Sequence, residues 1–216
     1  MFTPSFELIG ISQGLWRRSA WAACTVLMTG ALLGCKTPPP PPPPPPPPVA
    51  YSGPSLPIEQ SDRGVQIFLP SAVLFEVGKA DFKQADAAPY LDRVANLLTT
   101  KTKNRVVVEG HTDNAGSLGS NQTLSEQRAE VVRAALSQRG VPADRLSAVG
   151  YAFNRPMASN ATDDGKKFNR RVELLIVDEK VANITRGEPA ASFESAFDRL
   201  RKMVEQGLIK PMTGSK

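Results

Sequence analysis

Apolar and polar positions alternate along the chain in two rhythms. In "AAPYLDRVANLLTT" Leu91, Val94, Ala95 and Leu98 recur at three- and four-residue steps, which predicts an amphipathic helix, with Pro89 near its start. From Leu124 a second such stretch places Leu124, Val131, Val132 and Ala135 on one face and stops near Gly140. Between them "NRVVVEGHT" is a short β-branched run and predicts a buried strand. "RLSAVGYAF" predicts the next strand, "DDGKKFNRR" a short helix or turn, and "RVELLIV" a strand that closes the sheet. Upstream, "VQIFLPSAVLFEVG" is β-rich but broken by Pro70, which suggests an edge segment or hairpin. Strands separated by helices need crossovers, so part of the sheet is expected to be parallel in a two-layer α/β sandwich. Further on, Phe193, Phe197, Leu200, Val204 and Leu208 mark one more amphipathic helix, with Ser192 as N-cap and Gly207 as stop.

One residue disturbs the helix that begins at Leu124. Wound at 100° per residue, Arg128 falls on the apolar face, about 40° from Leu124. Thr123 and Glu126 form a T-x-x-E capping-box pattern, which puts Arg128 in the second turn. A guanidinium aimed inward needs a counter-charge, hydrogen bonds or open water. The strand "RVVVEGHT" delivers Asp113 to the top of the sheet, and the loop "NAGSLGSNQ" that follows is polar and glycine-rich. Asp113 and Arg128 are therefore expected to meet at the rim of a polar notch. Two readings remain open there: a plain internal salt bridge from strand to helix, or a site for a zwitterion bearing an ammonium and a carboxylate.

The N-terminal region has a different pattern. Arg17 and Arg18 precede the apolar run "AWAACTVLMTGALLG", which is shorter than the roughly 20 residues of a membrane-spanning helix. A cleaved secretory signal over residues 1–34 fits better than an uncleaved anchor, and "RRSAW" lacks the apolar residues expected of twin-arginine export. "LLGC" resembles a lipobox, so Cys35 is expected to be the lipidated residue. The other cysteine, Cys24, lies inside the apolar run, which leaves the mature chain no intramolecular disulfide. Eleven consecutive prolines, Pro38–Pro48, follow; they favour polyproline II and a semi-rigid spacer of roughly 34 Å. The expected organisation is a signal at 1–34, a lipidated cysteine and proline-rich linker at 35–64, a folded domain at 65–180, and an extension with one helix at 181–216.

Charge and composition exclude several functions. The formal net charge is +5, spread without an aromatic-interleaved basic patch, so nucleic acid is not an expected partner. His111 is the only histidine, which leaves little for a histidine-based metal site or a Ser–His–Asp relay, and no activated nucleophile stands near "GHTD". "GKK" at 165–167 lacks the glycine spacing of a phosphate loop. No catalytic residue, metal or cofactor is expected.

"VEGHTDNAGSLGSNQTLSEQRAEVVRAAL", "RLSAVGYAFNRP" and "NATDDGKKFNRRVEL" together resemble the OmpA C-terminal-like domain family, which includes peptidoglycan-associated lipoproteins and the periplasmic domains of flagellar stator subunits. The resemblance covers roughly residues 66–178. It implies an α+β fold, a mixed sheet with helices packed on one face, and non-covalent binding of peptidoglycan through the diaminopimelate of its stem peptide. By motif match the ligand residues are Asp113 in "GHTD" and Arg128 in "LSEQR". Asn121 corresponds to the asparagine before "LS", Arg170 to the arginine of "NRR" with Arg171 beside it, and Thr112 and Leu124 flank the pocket. "GYAFNRP" departs from the more usual Gly-Tyr-Gly-Glu pattern, which bears on the rim. The resemblance thus implies a non-enzymatic lipoprotein that faces the periplasm from the outer membrane, because Lys36 is not the aspartate associated with inner-membrane retention. Its expected partners are peptidoglycan, the membrane through Cys35, and other envelope proteins. The alternatives are a subunit of a larger envelope machine (a Tol–Pal-like complex, a stator or a secretion apparatus) and a periplasmic enzyme acting on peptidoglycan.

Overall fold

The computed structural model describes residues 51–210. The expected signal segment, Cys35 and the proline run lie outside the described residues. Six strands form one mixed sheet: β1 (Leu56–Ser61), β2 (Gly64–Pro70), β3 (Val106–His111), β4 (Leu146–Gly150), β5 (Arg171–Val177) and β6 (Phe193–Ser195), in the order β4-β3-β5-β2-β1-β6. β3 and β4 are parallel, joined through helix α3 (Leu118–Gln138), and β6 is parallel to β1. The β1–β2, β2–β5 and β3–β5 pairs are antiparallel. The remaining helices are α1 (Ser71–Leu74), α2 (Gln84–Thr100), α4 (Asp163–Asn169), α5 (Val181–Thr185) and α6 (Ala196–Glu205). None of the described helices is long and apolar enough to cross a membrane.

Strand alternation sorts the sheet into two unlike faces. Ile67, Leu69, Val106, Val108, Val172, Leu174 and Ile176 point to one side, where they are buried with Leu91, Val94 and Leu98 of α2 and Ala129, Val132 and Leu136 of α3. The alternate positions of β3 and β5 carry charge, and Glu109 stands directly opposite Glu173 in the ladder. Like charges facing each other across a ladder are destabilising unless compensated. Here Arg63 donates to both oxygens of Glu109 at 2.6 and 3.2 Å, and Arg171 Nε donates to Glu173 Oε1 at 2.7 Å.

Several boundaries depart from the sequence expectations. Among the described residues the first element starts at Leu56, inside the segment read as linker, and β1 supplies Leu56 and Ile58 to the core. β2 and β5 are interior strands; Pro70 is tolerated because it ends β2, where the ladder stops. α3 begins at Leu118, capped by Ser117, whose side chain accepts a hydrogen bond from Ser120 N. Thr123 is thus inside the helix, its hydroxyl donating to Gly119 O, and the T-x-x-E pattern is not a cap. Arg128 consequently sits in the third turn. In the C-terminal extension, Ser192 begins no helix. Residues 193–195 form β6, and Ser195 caps α6 by accepting from Asp198 N at 3.0 Å. Phe197 of α6 lies 6.3 Å from Phe68 on the sheet face opposite α2 and α3, and Ile184 and Ile209 are buried, so the extension is part of the folded body.

Candidate functional site

β3 runs into Thr112 and Asp113, and α4 runs into Arg170 at the start of β5. His111 and Arg171 are the last registered pair between these strands, so the segments just beyond them emerge side by side. There Asp113 Oδ2 accepts a hydrogen bond from Arg170 Nη1 at 2.5 Å. Asp113 Oδ1 accepts from Ala115 N at 3.0 Å, an Asx turn that fixes the carboxylate at the mouth of the loop.

Arg128 reaches the same place from α3. The residue is 3% exposed, yet it makes no ion pair with Asp113 or with any other carboxylate among the described residues. Its Nε donates to the carbonyl of Lys79 at 2.9 Å, and its guanidinium lies 5.2 Å from the centre of the Phe75 ring. Burial lowers its pKa, the neighbouring Arg170 lowers it further, and Asp113 opposes both. Arginine remains charged despite such shifts. Two guanidiniums therefore stand near one carboxylate that pairs with Arg170 alone, and the notch carries an excess of positive charge. The hydroxyl of Thr112, also buried, has no hydrogen-bond partner among the described residues.

The height of Arg128 is set one turn earlier. A Cβ on Gly110 would stand 2.0 Å from the Ser125 carbonyl oxygen, and one on Gly150 would stand 2.5 Å from Ser125 Oγ. Two glycines in adjacent strands thus let α3 approach the sheet closely. Ser125 Oγ in turn accepts from Ala152 N at 3.0 Å, and Ala152 O accepts from Thr112 N at 2.9 Å. These bonds hold Ala152 at a φ of 48°, a conformation that non-glycine residues seldom adopt.

The expected site residues divide into three groups. Asp113, Arg128 and Arg170 converge, Thr112 directly precedes Asp113, and Leu124 is half-buried on the helix that carries Arg128. Asn121 braces the loop, with its amide donating to Ala115 O at 2.7 Å and to Ser117 O at 3.1 Å. Arg171 does not join them. As the first residue of β5 it turns to the charged sheet face, where Glu173, Asn169 O and Arg155 O take its donors. Asn169 was not singled out from the sequence. It is fully buried, accepts from Met157 N and Ala158 N, and donates to Ala158 O and Asn160 Oδ1, which locks the loop before α4 against the start of β5. Its position inside "NRR" was the one available signal.

Glu109, His111 and Glu173 place possible metal-ligand atoms within 4.8 Å of one another. Guanidiniums already hold both carboxylates, and a third, Arg155 Nη1, lies 3.8 Å from Glu109. A divalent cation would have to displace them, so the cluster reads as an ion-paired part of the sheet. His111 stacks on Tyr151 at 5.5 Å, and burial, then Arg171, Arg155 and Arg63, push its pKa down to about 2. A groove of about 440 Å³ lined by Phe68, Tyr90, Phe168 and Met203 among others takes in Arg171 but none of Asp113, Thr112, Arg128 or Arg170.

The mixed sheet, its helices and this polar notch make up a small α+β domain. A model of the OmpA family matches residues 74–170. The chain is 37% identical over 118 residues to the outer-membrane lipoprotein YfiB of Pseudomonas aeruginosa, which covers 55% of this chain and 70% of that protein. The chain belongs to the OmpA family. It is also 46% identical over 86 residues to the peptidoglycan-binding protein ArfA of Mycobacterium tuberculosis, 40% of this chain and 26% of that one. A segment of photosystem I P700 chlorophyll a apoprotein A2 of Gloeobacter violaceus is 40% identical over 124 residues, 55% of this chain and 14% of that protein. The chain thus spans well under two thirds of these last two relatives. Among solved structures, the cell wall anchor of the T6SS from Pseudomonas aeruginosa superposes with a TM-score of 0.52 at 31% identity, over 56% of this chain and 87% of that one. The periplasmic domain of Helicobacter pylori MotB does so with a TM-score of 0.53 at 25% identity, over 73% and 95%.

Proposed function

We propose that this chain is a non-enzymatic envelope protein that holds peptidoglycan non-covalently through the diaminopimelate of the stem peptide. One observation carries the reading: Arg128 is buried beside Asp113 and Arg170 with no carboxylate of its own among the described residues. A ligand carboxylate completes Arg128 through its free donors, and the ligand ammonium shares Asp113 with Arg170. Thr112 offers a further hydroxyl, while Leu124 lies on the flank. Relatives whose names state peptidoglycan binding or cell-wall anchoring support this reading.

The same proposal places the domain in the periplasm on a lipid anchor at Cys35, in the outer membrane, with the proline-rich linker spacing the domain from the membrane. Co-sedimentation of the purified chain with sacculi tests the binding. Retention in the pellet without released fragments supports a binder, and released muropeptides would show an enzyme instead. Cys35→Ser tests the anchor: loss of the acyl mass and of membrane fractionation supports it, since stable anchoring needs more than one acyl chain. A second reading, a subunit of a larger envelope machine, is favoured by the likeness to MotB and to the T6SS anchor.

A further inference from the structure

We infer that Phe75 and the backbone carbonyl of Lys79 are positioning groups that present Arg128 to its ligand end-on, through Nη1 and Nη2; the inference rests on the proposed role of Arg128 in holding a carboxylate. A guanidinium has two edges able to grip a carboxylate with paired donors, the Nε side and the Nη1–Nη2 end. In Arg128 the first edge is taken, because Nε donates to Lys79 O. The Phe75 ring lies against the guanidinium at 5.2 Å, within the range of cation–π attraction. Backbone and ring therefore constrain the group from two directions, and the terminal fork is what remains for an incoming anion.

Arg145 shows how the same side chain looks in a purely structural role. Its Nε, Nη1 and Nη2 all donate to carbonyl oxygens, those of Asn104, Leu98 and Thr102. Arg128 has one such bond among the described residues, although it is 3% exposed.

The clamp is built by a closed loop. Phe75 and Phe82 face each other across an isolated antiparallel bridge and stack at 5.3 Å with a 10° interplanar angle. Lys83 N donates to Leu74 O and Glu76 N to Asp81 O, which ties the base of the loop, and Lys79 N donates to Glu76 O across its turn. Gly78, at a φ of +72°, turns the chain so that the Lys79 carbonyl faces α3. A Cβ there would meet nothing within 4 Å, so a substitution at Gly78 acts on backbone conformation without removing any packing.

That property supplies the test. Asparagine tolerates the left-handed conformation and valine does not, so Gly78→Asn keeps the clamp while Gly78→Val disturbs it. Phe75→Leu removes the ring face and keeps an apolar side chain; Phe75→Tyr keeps the ring. For the full chain and these variants, exchange of the Arg128 Nε proton is followed by NMR, and affinity is measured for a stem tripeptide containing diaminopimelate. The expected result is a protected Nε proton in the parent chain, with protection lost in Phe75→Leu and Gly78→Val. Both should lose affinity on the order of tenfold. Phe75→Tyr and Gly78→Asn should keep protection and affinity. An unprotected Nε proton in the parent chain, or unchanged affinity in variants that have lost protection, would overturn the inference. Should Phe75→Leu not fold, the Gly78 pair decides. Failure of the parent chain to bind the tripeptide would remove the functional reading, while the Nε exchange would still decide whether the clamp exists.

Discussion

Arg170 and Asp113 are joined by a 2.5 Å hydrogen bond across the ends of β5 and β3, and the strand register leads them there. The bond occupies one carboxylate oxygen with a side chain that is itself 37% exposed. Arg128, far more buried, is left to a carbonyl and an aromatic ring. The carboxylate on which both sequence readings centred thus pairs with the more solvated of the two arginines. The buried one has no partner for its terminal donors among the described residues.

Asp113→Ala and Arg128→Ala are each expected to abolish co-sedimentation with sacculi, since losing one partner of a charge-assisted site costs about 2–5 kcal/mol. Melting should also fall for Asp113→Ala, because the buried Arg128 loses the nearby carboxylate and the loop loses its Asx turn, although Arg170 itself reaches water. Wild-type binding by both variants, measured where they are folded, would remove Asp113 and Arg128 from the site.

Gly110→Ala should destabilise more than Gly150→Ala. The added Cβ meets a main-chain oxygen at 2.0 Å in the first case, whereas in the second the contacts are looser, Ser125 Oγ at 2.5 Å and the Glu126 main-chain nitrogen at 2.6 Å. Overpacking of this kind costs about 1–3 kcal/mol, and Gly110→Ala belongs at the upper end. Urea unfolding of the two variants checks the order, and the reverse order would contradict the close approach described for Ser125.

Acid should destabilise the domain through His111 before the carboxylates titrate. Its folded pKa is lowered to about 2 from an ordinary value of 6.5, so below pH 6.5 the unfolded chain takes up a proton that the folded chain refuses. The stability contributed by the neutral ring is complete above pH 6.5 and is lost at about 1.4 kcal/mol per pH unit as pH falls. Between pH 6.5 and 5 the slope belongs to this one residue, the only histidine in the chain. His111→Asn should flatten it in urea unfolding series, and an unchanged slope would contradict the depressed pKa.

A chain ending at Lys180 should unfold at markedly lower urea. It loses the buried side chains of Ile184 and Ile209 and the β6 cover of β1, about 5 kcal/mol at usual values for apolar burial. An unchanged midpoint would show that the extension is dispensable to the folded body.

The sequence by itself made the central strands, the two long helices and the mixed sheet legible, because strand alternation and helix periodicity are local, and it pointed to Asp113, Thr112, Arg128 and Arg170 because they stand in recognisable motifs. It misplaced the start of α3, and the reason is chemical. The buried stripe of that helix begins with Asn121, Ser125 and Arg128, so its first turns carry no apolar signal for a periodicity to detect. It likewise missed β1, whose six residues contain Pro57 and three polar side chains and become a strand only by pairing with β2. The choice between Arg170 and Arg171 was also beyond it. Two adjacent arginines are equivalent in sequence, and only the pairing of β5 with β3 sends Arg171 to Glu173 and leaves Arg170 for Asp113. The contact that holds Arg128 comes from a loop 49 residues away, and its acceptor is a main-chain carbonyl, a group every residue possesses. Only the tertiary structure could select that one.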